Sequence, residues 1–410
     1  MLINNYYKFD MLKIELNKNN CFLLCKCSFL ILVINISNQD LKIKILQNKI
    51  KVNNENNFTD VNTLYDILSN KNISKNTVLI FEPFTYHYEC TPGFTKYFID
   101  LGYNVDIIMH DSGLSSFFLF EDLSKIRFFI YNDISDITNY TKYLSLILIN
   151  YNYVLIETVN PNLFTLYKSL NLLNINHSFF VFHHLEYLKA FSQYILLNKE
   201  QKWSLGNFTN FTQINPHYFG NILNKKKNKI TRFFITSTIW RKYEILISAV
   251  EVLKDENLEF QVIVVGKWNT FTQHNISEKV RDNFIFKYNI TYSELYNEVN
   301  NSDFIIINLD PYNIKDISFK TTRVTGSSQL VYGFLKPAII NKKFAFFYNL
   351  NSNIFCNSFI YKNSNFTDTM RNAINLNDLN YQKMKKNLEK TAKNIYKNSL
   401  DNVNICMNKL

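Results

Sequence analysis

The sequence predicts an α/β protein built from two doubly wound, Rossmann-like domains facing each other across a cleft, with an N-terminal appendage. Three observations carry that prediction. Short apolar runs rich in β-branched residues alternate with helix-like stretches in two separate series, one starting at Thr77 and the other at Thr231. Between them Gly220 to Lys229, with its Gly, Asn and consecutive polar or basic residues, reads as a linker. The 410 residues are 47% hydrophobic and 19% charged, which is enough apolar material for two packed cores and excludes a disordered chain or a rod.

Residues 1–76 form the appendage. They are rich in Asn and Lys, with a strand pair expected around residues 22–34 and 41–46 and a short helix near Val61 to Leu68. The apolar run Cys21 to Ile34 is the candidate for a targeting segment, but Lys26 interrupts it and its length of about 14 residues falls short of the roughly 20 needed to span a bilayer. It has neither a basic start nor a small-residue cleavage site, so the chain is expected to be soluble and cytoplasmic.

The first domain is placed at residues 77–222. Thr77 to Phe81 reads as a buried parallel strand, followed by the polar loop Glu82 to Pro92, a helix over Gly93 to Leu101, and a strand over Tyr103 to Met109. That is one βαβ unit of about thirty residues. Strands at Arg127 to Tyr131, Tyr153 to Glu157 and Ser178 to His183 alternate with helices at Tyr140 to Leu148 and Pro161 to Leu170. The second domain is placed at residues 230–410. Strands are expected at Thr231 to Thr236, Phe260 to Gly266, Asn283 to Lys287, Asp303 to Leu309 and Pro337 to Ile340, with helices at Tyr243 to Leu253, Ser293 to Val299 and Gly326 to Phe334. A basic helical tail runs from Asp368 to Asn404, its lysines forming a solvated face.

The net charge of +11 suits an anionic membrane surface or a phosphorylated small substrate. No recognition motif accompanies it, so nucleic acid is not expected as a partner. Six cysteines do not make a disulfide scaffold in a chain of this length, and Cys21, Cys25 and Cys27 lack nearby partners for a metal site. They read as buried thiols, and no metal or other cofactor is expected.

The sharpest stretch runs from Thr325-Gly326-Ser327-Ser328 to Gly333 and Pro337. A small turn opens a helix that ends at Gly333, with Ser327 or Ser328 as its N-cap. Free N–H groups and the helix dipole at such a start suit a diphosphate. With its neighbours this stretch resembles the GT-B glycosyltransferases, specifically the group-1 family that uses nucleotide-sugar donors. Trp240-Arg241-Lys242 before the helix ending at Leu253, Val264-Val265-Gly266 at the end of a strand, Glu294-Leu295-Tyr296, and Asn301-Ser302-Asp303 occur in the family's order. The resemblance covers residues 230–345 well and 77–190 more loosely. It departs from the family in one respect: the pair of glutamates that many members carry in the last loop and helix is missing, and Ser328, Gln329 and Tyr332 stand there instead.

The resemblance implies a metal-independent glycosyltransferase, retaining anomeric configuration, that moves a sugar from a nucleotide-diphosphate-sugar donor to a glycan or glycolipid acceptor. Polysaccharide biosynthesis at the membrane periphery is the family's commonest setting. Arg241 and Lys242 are then diphosphate clamps, Thr325, Gly326, Ser327 and Ser328 form the cradle, and Gly266 permits close backbone approach. His87 and Glu89, in the loop after the first strand, face the sugar and acceptor. His183 or His184 occupies the family's active-site histidine position, and no third ligand stands at zinc spacing beside the pair. Two other readings stay open: a nucleotide-sugar epimerase on the same fold, and a non-catalytic nucleotide- or glycan-binding protein, which the missing glutamates favour.

Overall fold

The computed structural model describes residues 76–131, 133, 141–172, 175–187, 197–222, 225–237, 241–266, 276–351 and 356–410, with the strands Cys21–Lys26 and Phe29–Ile34. The chain divides into two compact units, Met1–Ile45 and Leu46–Leu410. In the first, β1 (Cys21–Lys26) and β2 (Phe29–Ile34) pair antiparallel, with Cys21 opposite Ile34. The apolar run is therefore a hairpin, and the partner expected at residues 41–46 lies outside the described residues, as do the helix near Val61 to Leu68 and the side chains of Cys21, Cys25 and Cys27.

The larger unit holds two parallel sheets. The first contains β3 (Thr77–Glu82), β4 (Asn104–His110), β5 (Ile126–Tyr131), β6 (Tyr153–Ile156), β7 (Ser178–Val181), β8 (Lys202–Ser204) and β9 (Thr212–Gln213) in the order β5-β4-β3-β6-β7-β8-β9. The last two strands are three and two residues long, too short to leave a sequence pattern. Helices α1 (Thr91–Asp100), α2 (Thr141–Leu148) and α3 (Phe164–Ser169) complete this lobe. Every residue of β3 is buried, as expected where helices cover both faces. Alternate residues serve opposite cores: Leu79, Phe81, Val154 and Ile156 pack with Tyr167, whereas Val78, Ile80 and Leu155 pack with Phe94, Phe98 and Trp203.

The second sheet contains β10 (Thr231–Ser237), β11 (Phe260–Gly266), β12 (Phe284–Tyr288), β13 (Phe304–Ile307), β14 (Ala338–Asn341) and β15 (Ser358–Tyr361), in the order β12-β11-β10-β13-β14-β15. Its helices are α4 (Glu244–Asp255), α5 (Tyr292–Asn301), α6 (Gly326–Phe334), α7 (Phe366–Ile374) and α8 (Asp378–Lys409). The helical tail is thus two helices, broken at Asn377, whose side chain accepts the Asn380 N–H at 2.9 Å as an N-cap.

The expected boundary put the whole tail with the second domain, and the packing differs. Tyr381 lies in the second lobe's core and donates to the Asp303 carbonyl at 3.0 Å. Further along α8, Val403, Cys406 and Met407 enter the core of the first lobe, and Tyr153 donates its hydroxyl to the Met407 carbonyl at 2.9 Å. One helix therefore contributes apolar side chains to both lobes. Of its lysines, Lys383, Lys386, Lys393 and Lys397 are exposed as expected, but Lys385 is buried and donates to the Lys225 carbonyl at 3.0 Å.

Among the described residues, the four apolar clusters of this unit draw on positions from Val78 onward. Deleting residues 1–45 should therefore leave residues 46–410 folded, with a urea midpoint close to that of the full chain. Insoluble protein, or a loss beyond about 1 kcal/mol, would show that the first unit completes a core.

Candidate active site

In a doubly wound sheet ligands bind beyond the carboxyl ends of the strands, at the point where strand order reverses. Those points are β3/β6 in the first lobe and β10/β13 in the second. Each collects polar and charged side chains at the ends of its strands.

At the first switch point Glu82 ends β3 and Glu157 follows β6, and both are fully buried. Thr158 donates to Glu82 Oε2 at 2.5 Å, Phe84 N–H to Glu82 Oε1 at 2.6 Å, and Thr91 to Glu157 Oε1 at 2.9 Å. Glu157 Oε2 has no hydrogen-bond partner among the described residues. Burial pushes the Glu82 carboxyl up to about 8, against the pull of its two hydrogen bonds. Burial, then the neighbouring Glu82 charge, raises Glu157 well above the carboxylate range. At neutral pH the pair is thus held largely protonated.

The loop after β3 carries His87 and Glu89, and the structure brings both to one place with His183. The His87 and His183 rings stack with centroids 3.9 Å apart and planes 12° off parallel. His87 Nδ1 is 3.6 Å from Glu89 Oε1. His183 Nε2 lies 3.1 Å from the Glu157 carbonyl, an acceptor only, so that nitrogen carries the proton and Nδ1 is the acceptor. Burial, then His87, holds His183 well below the usual imidazole range, so it is neutral. The His184 backbone bridges to Arg323 across the seam between the lobes, and burial, followed by the Arg323 charge and then His87, lowers its imidazole to about 4.

The second lobe meets this loop through α5 and α6. The Tyr292 hydroxyl, at the start of α5, donates to Glu89 Oε2 at 3.1 Å. At α6 the N-cap is Thr325, not Ser327 or Ser328, and its side chain makes no capping bond. Ser328 instead donates to the Thr325 carbonyl at 2.7 Å, and Ser327 shares a 2.9 Å hydrogen bond with Thr236 at the end of β10. Thr325, Ser327 and Ser328 are buried, so Gly326 alone presents this turn to a ligand. A Cβ on Gly326 would stand 3.5 Å from Glu89 Oε1. A carboxylate of the opposite lobe thus sits over the helix start that the sequence assigns to a diphosphate, where the dipole favours negative charge. The sequence also assigns two cations, Arg241 and Lys242, to a diphosphate.

Those cations lie at the second switch point. Arg241 is buried at 5% exposure, with its guanidinium 5.8 Å from the Phe319 ring centroid. Its Nε and Nη1 have no hydrogen-bond partner among the described residues. It lies close enough to the buried Asp316 to pull down a carboxyl that burial raises. Lys242 is exposed, with Nζ 3.9 Å from Asp310 Oδ2, and lines a cavity of about 250 Å³ with Asn308, Asp310 and Tyr361. Gly266 ends β11, its carbonyl accepting the Asn289 N–H at 3.1 Å. Trp240 and residues 267–275 lie outside the described residues.

The seam is closed by the Leu185 N–H, which donates to the Thr322 carbonyl at 3.0 Å, and by Arg323 with Glu186 at 3.0 Å. Sequence reasoning missed Glu82, Glu157 and Tyr292. The signal for the first two was a glutamate directly after the apolar runs Thr77 to Phe81 and Tyr153 to Ile156. For Tyr292 there was none. Among the described residues, no group of three or more His, Cys, Asp or Glu is arranged to hold a metal ion, and no helix is long and apolar enough to cross a membrane.

No family model matches the sequence, and no curated protein does. Solved structures do. The chain is similar to a glycosyltransferase from Rickettsia africae at 14% identity, over 82% of this chain and 97% of the other, with a TM-score of 0.46. It is similar to Anabaena HepE in complex with UDP-glucose at 10% identity, over 81% and 98% of the two chains, with a TM-score of 0.46. A sucrose-phosphate synthase from Thermosynechococcus elongatus aligns at 8% identity, over 78% and 95%, with a TM-score of 0.42.

Proposed function

We propose that the protein is a glycosyltransferase that moves a sugar from a nucleotide-diphosphate-sugar donor to a glycan or lipid-linked acceptor, with no cofactor. The observation that carries this reading is the pairing of two switch points of different chemistry: a buried guanidinium with two nitrogens unpartnered among the described residues on one lobe, and a carboxylate–imidazole cluster on the other. Transfer from such a donor needs positive charge where the diphosphate departs more than it needs a protein nucleophile. Arg241 and Lys242 supply it. Glu89, tied to Tyr292 and beside His87, faces the sugar and acceptor and can take the acceptor's proton. The chain works in the cytoplasm, peripheral to an anionic membrane.

A thermal-shift screen of UDP-, GDP-, ADP- and CMP-sugars identifies the donor, since a ligand present at 100 times its Kd stabilises the folded state by about 2.7 kcal/mol. With that donor, Arg241→Ala should weaken binding or kcat/KM roughly 10- to 150-fold, the loss of charge-assisted hydrogen bonds worth about 1.5–3 kcal/mol. Arg241→Lys should recover part of this, lacking the planar fork. Because Arg241 is buried beside Asp316, the alanine variant should also unfold more easily, so urea midpoints are measured in parallel. A folded Arg241→Ala protein with unchanged donor affinity and turnover removes the residue from the site.

The three carboxylates Glu82, Glu89 and Glu157 favour one second reading, a nucleotide-sugar epimerase, whose acid–base steps would use such groups. Product analysis separates the two: a glycosylated acceptor with free nucleotide in one case, an intact donor of altered sugar stereochemistry in the other.

A further inference from the structure

Two short segments of the second lobe lie side by side beyond the carboxyl ends of β13 and β14. One contains the helical turn Ile314–Ile317, the other Lys342–Ala345 and Phe346–Tyr348. Three contacts hold them together. Tyr348 donates its hydroxyl to the Phe319 carbonyl at 3.0 Å, Lys343 Nζ stands 4.7 Å over the Tyr312 ring, and Lys320 Nζ stands 4.5 Å over the Phe344 ring.

Their outer face is apolar to an unusual degree. Phe346 is 85% exposed, Ile314 83%, Tyr312 71% and Phe347 51%, and Ile317 is exposed beside them. Large apolar side chains scattered singly on a surface need no explanation, but a group of them on two adjoining segments marks an interaction site. The exposed charges on the two segments themselves are cationic, with the half-buried Asp310 at their edge, its side chain accepting the Tyr312 N–H at 2.9 Å. Lys315, Lys342 and Lys343 are exposed, Lys320 is half-buried, and Asp316, the acid within residues 311–320 and 342–349, is buried at 1%.

We propose that this face docks the protein on an anionic lipid surface. Aromatic and aliphatic side chains that project past a ring of lysines match the headgroup region, where rings enter the interface and ammonium groups meet lipid phosphate. Each lysine near such a surface raises binding about five-fold. A second copy of the chain fits less well, because a two-fold contact would set these lysines against their own copies. The proposal rests on the membrane-peripheral placement proposed above and names its face, and its test reads membrane binding and not turnover, so its failure is distinguishable from failure of the transferase reading.

The test is co-sedimentation of the full chain with vesicles of phosphatidylcholine alone or with about 30% phosphatidylglycerol. The wild-type protein should bind the anionic vesicles at least ten-fold better, and added salt should release it. Phe346→Ser/Phe347→Ser and Lys315→Glu/Lys342→Glu should each lower that binding ten-fold or more. Their urea midpoints should not change, because the altered side chains are exposed. Lys383→Glu/Lys386→Glu, on the exposed face of α8, should leave binding within about two-fold, which controls for net charge. Absence of binding to anionic vesicles overturns the proposal, as does wild-type binding by both patch variants. Self-association that the patch variants abolish, without vesicle binding, would reassign the face to a contact between copies.

Discussion

Glu82→Gln should flatten the fall in stability that the wild-type protein shows as pH rises past neutrality. The Glu82 carboxyl titrates near 8 in the folded protein and near 4.5 in an unfolded chain. Between those values the folded state keeps a proton that the unfolded chain has given up. The stabilisation is therefore complete below the unfolded value and is lost as pH rises through the folded one. From pH 6 to 8.5 this one group should remove about 2–3 kcal/mol, because a tenfold difference in proton affinity between the two states corresponds to about 1.4 kcal/mol. Glutamine keeps the carbonyl oxygen that accepts the Phe84 N–H and carries no charge to desolvate. Removing the Glu82 charge also relieves part of the upward push on Glu157, which moves the variant in the same direction. Urea unfolding of both proteins across this range checks the result, and parallel curves would show that Glu82 is not held protonated.

Gly333→Ala should destabilise the protein by about 3 kcal/mol, although alanine is the better helix former by about 1 kcal/mol. The sequence places Gly333 at the end of α6, where a glycine would be a tolerant cap. In the structure the helix continues through Phe334, and the cap is Leu335 in the left-handed conformation at φ 51°. Gly333 sits inside the helix, under the chain that connects the lobes. A Cβ there would stand 2.1 Å from the Phe219 ring and 2.6 Å from the His217 carbonyl oxygen. A buried ring and a backbone carbonyl cannot both move aside, so the packing loss exceeds the gain in propensity. Equal or higher stability of Gly333→Ala would mean that the connection between Asn215 and Gly220 rests elsewhere.

The same contrast separates what the sequence by itself determined from what the tertiary structure decided. Two series of buried parallel strands were legible because each strand is a run of apolar residues closed by polar loops, and that pattern survives without knowledge of its neighbours. So were His87 and Glu89 as groups of the loop after the first strand, and Arg241 and Lys242 ahead of a helix. The partners of each could not be read, because they come from chain segments tens to hundreds of residues away. Tyr292 reaches Glu89 across 203 residues, and Met407 caps a core that begins at Val78. The turn at Gly326 reads locally as an open anion site, and only the approach of the opposite lobe places Glu89 over it. Glu82 and Glu157 look like ordinary strand-end carboxylates until the switch point buries them together, and burial, more than residue type, sets their charge. Local pattern is carried by neighbours in sequence, whereas desolvation and close approach depend on distances that exist only after the lobes have packed.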